Sequence, residues 1–219
     1  MTKSLTLTFD NGPFAEVTPQ VLRVLEEKGV LATFFMLGER LALPDGRPLA
    51  ESVKTAGHWI GNHTWSHSTP LGRQPSEEVV EREIRGTQAF IDGLATNRRM
   101  FRPKGDGGQL GDHLLSPRAR DILLEDGFSM VLWNSIPRDW EQPDDWVETA
   151  LEHCAAQDWT VVVIHDTPTG AMRHLGRFID EARDRGIEIK QEISPACIPI
   201  SGGRVVAPIT QFVGNPGPE

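Results

Sequence analysis

Two histidines four positions apart, His63 and His67, are the first pair in this sequence with the spacing to do chemistry. On one turn of helix a His-x3-His pair presents both imidazoles on the same face. Both rings then come within reach of a single zinc ion, at about 2.0–2.1 Å per nitrogen. Such a pair still lacks an oxygen ligand, and Asn11, or Asp10 beside it, can supply one. A metal held this way activates a bound water and polarises a carbonyl, which are two of the three needs of amide hydrolysis. The third, a proton for the departing amine, falls to a positioned acid.

These groups act together only if the fold gathers them. Residues 5–9 alternate as a strand with Leu5, Leu7 and Phe9 on one face; Thr18-Pro19 then offers an N-cap and an N1 proline for a helix stopped by Gly29. Further strands are expected at 31–36, 58–62, 99–101, 128–133 and 160–164, with a last one at 204–207. Helices are expected around 49–56, from Ser76 onward, and starting near Ser116-Pro117, Pro143 and Ala171. The helix from Ser76 is the longest. Its Val80, Ile84, Thr87, Ile91 and Leu94 form a stripe for a sheet, and the acidic run 77–83 reads as its solvated face. Alternation this regular implies an α/β chain, a parallel sheet clad in helices.

In a parallel barrel the C-terminal strand ends converge on one mouth. Asp10 and Asn11 follow the first strand, His63 and His67 the third, and Arg102 the strand ending at Phe101. Asp139 lies a short loop beyond Trp133, and His165 follows Ile164. All are on the same edge.

Read in order, the motifs Thr8-Phe9-Asp10-Asn11-Gly12-Pro13, His63-Thr64-Trp65-Ser66-His67, Arg102-Pro103-Lys104-Gly105, Asp139-Trp140 and Ile164-His165-Asp166 resemble those of the polysaccharide deacetylase superfamily. That group is also called the NodB-homology domain or family 4 carbohydrate esterases. The resemblance spans residues 5 to about 166. It implies one domain over 1–219, folded as an irregular (β/α) barrel of about seven parallel strands. It also implies a metal-dependent hydrolase of non-peptide C–N bonds. The expected substrate is an N-acetylated sugar or oligosaccharide, or a small linear or cyclic amide. Position by position, Asp10 becomes the general base, His63 and His67 the histidine ligands, and Asn11 the residue at the carboxylate-ligand position. Arg102 would pair with Asp10, and Asp139 would orient His165, the general acid. Zinc is the expected metal, with cobalt or manganese as alternatives.

Two positions depart from the family pattern. The first motif usually carries Asp where this chain has Asn11. With zinc, a two-His, one-Asp set carries net +1 and a two-His, one-Asn set +2, so the carboxamide is expected to weaken metal affinity. The alternative reading is a metal-poor or non-catalytic relative that still binds an amide-bearing ligand. The second departure is Lys104, a cation expected to face the substrate. Trp65, Trp133, Trp140 and Trp146 fall near the expected mouth. Trp140 and Trp65 are the two indoles placed to touch substrate, with a core role as the other option.

Composition narrows the partners. With 22 Lys and Arg against 31 Asp and Glu, the formal charge of −9 disfavours nucleic acid and anionic membranes. The longest apolar stretch falls far short of the ~20 residues that span a bilayer, and the N-terminus reads as a strand rather than an export signal, which implies a cytoplasmic location. Cys154 and Cys197 have no metal-ligand spacing and are expected as buried free thiols. The Gly- and Pro-rich stretch from 215 is expected to be a loose tail.

Overall fold

In chain order the elements are β1 (Ser4–Asp10), α1 (Thr18–Lys28), β2 (Thr33–Met36), α2 (Gly38–Leu41), α3 (Gly46–Thr55) and β3 (Trp59–Asn62). Next come α4 (Glu77–Glu81), a π turn (Arg82–Gly86), α5 (Thr87–Ile91), β4 (Met100–Phe101), α6 (Pro117–Glu125) and β5 (Ser129–Met130). The chain finishes with α7 (Trp146–Ala156), β6 (Trp159–His165), α8 (Leu175–Asp184), β7 (Glu188–Lys190), β8 (Ile200–Ser201) and β9 (Arg204–Val205). This computed structural model describes residues 2–94 and 99–214. The tail expected from 215 lies outside the described residues.

Strands β6, β1, β2, β3, β4 and β5 follow one another in parallel across a curled sheet. Past β5 the chain runs on to a parallel bridge between Ser135 and Val162, which brings the far edge of the sheet back to β6. The sheet therefore forms a partly closed barrel, as the sequence implies. Its seventh parallel strand is a correction. The sequence reading put it at 204–207, but β7 fills that place, pairing with the first half of β1 while β2 pairs with the second. Arg204–Val205 instead folds back on β8 as an antiparallel hairpin. Gly202 and Gly203, both at positive φ (56° and 75°), form its two-residue turn. A Gly-Gly pair between extended residues is a hairpin signal, because both turn positions need left-handed backbone.

Period-two alternation decides which side chains enter the barrel. On β1, Leu5, Leu7 and Phe9 pack outward with Val21 and Leu25 of α1 and with Leu175 and Phe178 of α8. Thr6, Thr8 and Asp10 consequently point inward. On β6, Val162 and Ile164 belong to the outer layer, while Val161 and Val163 join Phe35, Phe101 and Val131 in the inner one. All seven residues of β1 are buried, as expected of a strand covered on both faces.

The helix expected from Ser76 is present, and its stripe of Val80, Ile84, Thr87, Ile91 and Leu94 is buried. A π turn interrupts it, and Glu83 within that turn is 6 % exposed. The 77–83 run is thus not wholly a solvated face. Thr18 is a second correction: Val17 precedes the helix, and the Thr18 hydroxyl donates to Asp166 Oδ2 instead of capping. Cys154 and Cys197 are buried free thiols. Among the described residues no helix is long and apolar enough to cross a membrane.

Phe9 has no exposed surface and stacks on Phe34 with ring centroids 4.7 Å apart. Phe9→Ala is expected to cost about 3–5 kcal/mol of unfolding free energy in urea. Leu110→Ala, at a side chain 43 % exposed, is expected to stay within about 0.5 kcal/mol.

Candidate active site

Sheet register sets the level of the site. Asp10, the last residue of β1, stands opposite His165, the last of β6. The His63 N–H donates to the Met36 carbonyl and the Arg102 N–H to the Asn62 carbonyl, so each ladder continues one residue past its strand. Four of the expected residues thus occupy one edge. Above them lies a cavity of about 370 Å³ lined by Asp10, Asn11, His63, His67, Lys104, Trp140 and His165, together with Trp133, Ile136, Val163 and the glycines 105, 107 and 108.

Arg102 and Asp139 are fully buried behind that lining. The Arg102 Nη1 donates to Asp10 Oδ1 at 2.8 Å and to Thr8 Oγ1 at 2.6 Å. Its Nε and Nη2 reach the carbonyls of Val131 and Leu132, and the guanidinium lies 4.0 Å from the Phe35 ring centroid. Burial pulls the Arg102 pKa below its usual range, and Asp10 opposes that fall. The second Asp10 oxygen faces His63 Nε2 at 3.4 Å.

Asp139 grips His165 twice. Its Oδ2 accepts from the His165 backbone N–H at 2.9 Å, and its Oδ1 accepts from Nδ1 at 2.8 Å. A carboxylate accepts only, so the proton on that side is on Nδ1, and Nε2 is left for the cavity. Burial lowers the His165 pKa, but the bond and charge of Asp139, with Asp10 and Asp166, outweigh it and leave the pKa raised. Trp140 stands edge-on to this ring, centroids 5.0 Å apart. Asp166 turns the other way. Burial pushes its pKa up to about 7, and its carboxylate fills the space a Cβ on Gly12 would need.

His63 and His67 meet, but not on a helix as their spacing suggests. They lie on an extended loop after β3, with ring centroids 4.7 Å apart. Thr64 and His67 adopt φ of 71° and 51°, left-handed conformations that cost non-glycine residues of order 1–3 kcal/mol each. Side chains around the loop hold this shape. Asn62 accepts from the Thr64 N–H and donates to the Ile84 carbonyl in the π turn. Glu83 accepts from the backbone N–H groups of Trp65 and Ser66.

The donor chemistry of this corner fits a divalent cation. The His63 Nδ1–H donates to the Arg102 carbonyl at 2.9 Å, which leaves the Nε2 lone pair free. Burial holds both imidazoles neutral: the His63 pKa is lowered, and that of His67 falls to about 2 with help from His63, Lys104 and His165. Asn11, at φ 74°, is among the cavity's lining residues, and its buried Oδ1 has no hydrogen-bond partner. An orphaned buried acceptor is costly, and a cation beside it removes the cost. Among the described residues no three His, Cys, Asp or Glu side chains gather as a metal site; the set here is two imidazoles and a carboxamide.

Comparison with known proteins places this geometry in a family. Residues 1–110 match the family described as polysaccharide deacetylase. A peptidoglycan-N-acetylglucosamine deacetylase of Bacillus cereus is 34% identical over 192 residues, covering 84% of each chain. The chain belongs to the polysaccharide deacetylase family. It is also similar to a chitooligosaccharide deacetylase of Rhizobium leguminosarum bv. trifolii, 33% identical over 166 residues that cover 75% of this chain and 72% of the relative. Its fold superposes on a family 4 carbohydrate esterase from Streptomyces lividans, solved with acetate, at a TM-score of 0.72 and 28% identity, over 94% of this chain and 98% of that one. Membership in this deacetylase family supports a hydrolase of N-acetyl amide bonds.

The structure of this family member brings nine of the ten expected residues to the site: seven line the cavity, with Arg102 and Asp139 behind. Trp65 does not line it. Its indole packs over Gly38 and meets Phe90 edge-on, under the Arg82 guanidinium. Trp146 is also away from the mouth, in the core against Phe178. Sequence reasoning missed Thr8, Asn62, Glu83 and the Thr18–Asp166 bond. Thr8 was legible, since it shares the inward face of β1 with Asp10.

Asp139→Asn is expected to drop the His165 pKa below the ordinary histidine value of 6.5, because burial, the largest influence, is then opposed only by the weaker pull of Asp10 and Asp166. Imidazole NMR of the metal-free chain measures it. In the unaltered chain the folded pKa is raised, so the stability linked to it is complete below 6.5 and fades as pH climbs through the folded value. In the variant that fading is absent.

Proposed function

We propose that this chain is a divalent-metal-dependent N-deacetylase of N-acetylated glucosamine units in an oligosaccharide or cell-wall glycan. The observation that carries the reading is the convergence on one cavity of the Asp10–Arg102 pair, the His165–Asp139 pair, two neutral imidazoles and Asn11, whose buried Oδ1 has no hydrogen-bond partner. The named activities of the Bacillus and Rhizobium relatives support the choice of substrate.

His63, His67 and Asn11 would hold the metal, zinc for preference, which supplies Lewis acidity toward the acetyl carbonyl and toward water. Asp10 Oδ2 takes the proton of the attacking water while Arg102 fixes Oδ1. The tetrahedral species breaks down when His165 Nε2 gives its proton to the sugar nitrogen, and acetate leaves. Asp139 keeps that imidazole oriented and favours its charged form. Trp140 offers an indole beside the acid for the sugar ring, and Lys104 gives the cavity wall a cation for a carbonyl or carboxylate of the substrate.

The same Asn11 favours a second reading, a metal-poor relative that binds an amide-bearing sugar without turnover. Asn11→Asp separates the two by adding one negative charge at the ligand position, which is expected to tighten zinc affinity at least about tenfold. Metal content and acetate release from N-acetyl-chitooligosaccharides are measured for both forms. If neither form binds metal or frees acetate, the deacetylase reading is wrong. Lys104→Ala is expected to change the ranking of neutral against carboxylate-bearing N-acetyl sugars, read as kcat/KM; an unchanged ranking removes Lys104 from substrate recognition.

A further inference from the structure

Glu83 is a buried carboxylate that the chemistry above does not use. It sits in the π turn between α4 and α5, 6 % exposed, and among the described residues no lysine, arginine or histidine forms an ion pair with it. Taking a carboxylate out of water without a counter-charge is unfavourable unless hydrogen bonds replace the water. Glu83 has three such bonds, and all come from the loop joining His63 to His67. Oε2 accepts from the Trp65 and Ser66 backbone N–H groups, each at 2.9 Å, and Oε1 accepts from the Ser66 hydroxyl at 2.7 Å.

Those bonds fall between the two left-handed residues, Thr64 and His67. A β-branched threonine in that region is a conformational outlier that relaxes unless its surroundings over-determine it. Asn62 fixes the Thr64 end of the loop. Glu83 fixes the middle. The π turn matters because it sets Glu83 among the buried positions of this helix, beside Ile84, whose carbonyl receives Asn62. One helical irregularity therefore contacts the loop through both of its anchors.

We propose that Glu83 is a positioning residue for the metal corner: by clamping Trp65 and Ser66 it imposes the loop conformation that sets the His67 imidazole beside that of His63. The clamp works through acceptor geometry and not through charge. This rests on the reading of His63 and His67 as metal ligands, and the test keeps the two apart.

Glu83→Leu removes the acceptors, and Glu83→Gln keeps one oxygen for the two N–H groups while its amide turns to Ser66, whose hydroxyl already meets Ser68. Full-length variants are titrated with Co²⁺ and followed by visible absorption. Glu83→Leu is expected to weaken Co²⁺ binding about 10–100-fold and to alter the band shape as His67 leaves the ion; Glu83→Gln is expected to restore both to within about threefold. The metal-free readout is the NOE between the His63 and His67 ring protons, present in the unaltered chain and in Glu83→Gln and absent in Glu83→Leu.

If Glu83→Leu lowers only the unfolding midpoint and leaves Co²⁺ affinity, band shape and NOE unchanged, the proposal is overturned. It is also overturned if Glu83→Gln binds Co²⁺ as weakly as Glu83→Leu while keeping the NOE, since charge is then the agent. Should the unaltered chain take up no Co²⁺, the metal reading fails, and the NOE comparison alone decides the positioning role. Should Glu83→Leu not fold, Glu83→Asp withdraws the acceptors by one methylene and carries the same comparison, with weakened affinity expected and unchanged affinity overturning the proposal.

Discussion

Arg102 has no exposed surface, yet its guanidinium makes four hydrogen bonds. It donates to a side chain of β1, a second side chain of β1, and two carbonyls past β5, while its own backbone follows β4. The inward face of the barrel is therefore organised around one cation. Burying an arginine is costly unless a counter-charge and hydrogen bonds replace the water it loses. Asp10, Thr8 and the two carbonyls provide that replacement, and in doing so fix where Asp10 can point. The remaining parts of the site take their positions relative to this pair. His63 leans on the Arg102 carbonyl, and His165 stands across the sheet from Asp10.

The electrostatics of the cavity follow from pairings of this kind. Arg102 compensates Asp10, and Asp139 compensates the imidazolium of His165. His63 and His67 are kept neutral by burial, the form in which imidazole binds metals. Asn11 and Lys104 both shift the remaining balance toward positive, one by withholding a carboxylate and the other by adding an ammonium. A cation bound at Asn11 therefore meets less attraction than a two-His, one-Asp corner offers.

Much of this was legible in the residues because periodicity and strand ends are local properties. The alternation of Leu5, Leu7 and Phe9 fixes the orientation of β1 and thus the inward aspect of Asp10. The βα order locates the mouth, and motif spacing finds its lining. What stayed hidden depends on long-range burial or on irregular backbone. Glu83 shares an acidic run with exposed glutamates, and only the π turn and the neighbouring loop single it out. The His63–His67 spacing suggests a helix, whereas left-handed Thr64 and His67 bring the rings together by another path. Trp65 lies between two ligand candidates in sequence but packs outward over Gly38. β7 has one apolar residue, Ile189, between a glutamate and a lysine, and none of the three is fully buried, so no apolar pattern announces it.

The one-to-one register of Asp10 with His165 also bears on how such a site tolerates change. Neighbouring strands are held about 4.8 Å apart by backbone bonds, so the sheet sets the backbone spacing of Asp10 and His165, while Arg102 and Asp139 aim their side chains. The corner of Asn11, His63 and His67 has a looser frame: both histidines sit on the loop after β3, with His63 tied to Met36 by its backbone N–H, and Asn11 lies just past β1 at positive φ. Substitution there can therefore reshape the corner while the Asp10–His165 register stays where it is. On the proposed reading, an exchange at Asn11 changes what that corner holds without unpicking the rest of the apparatus.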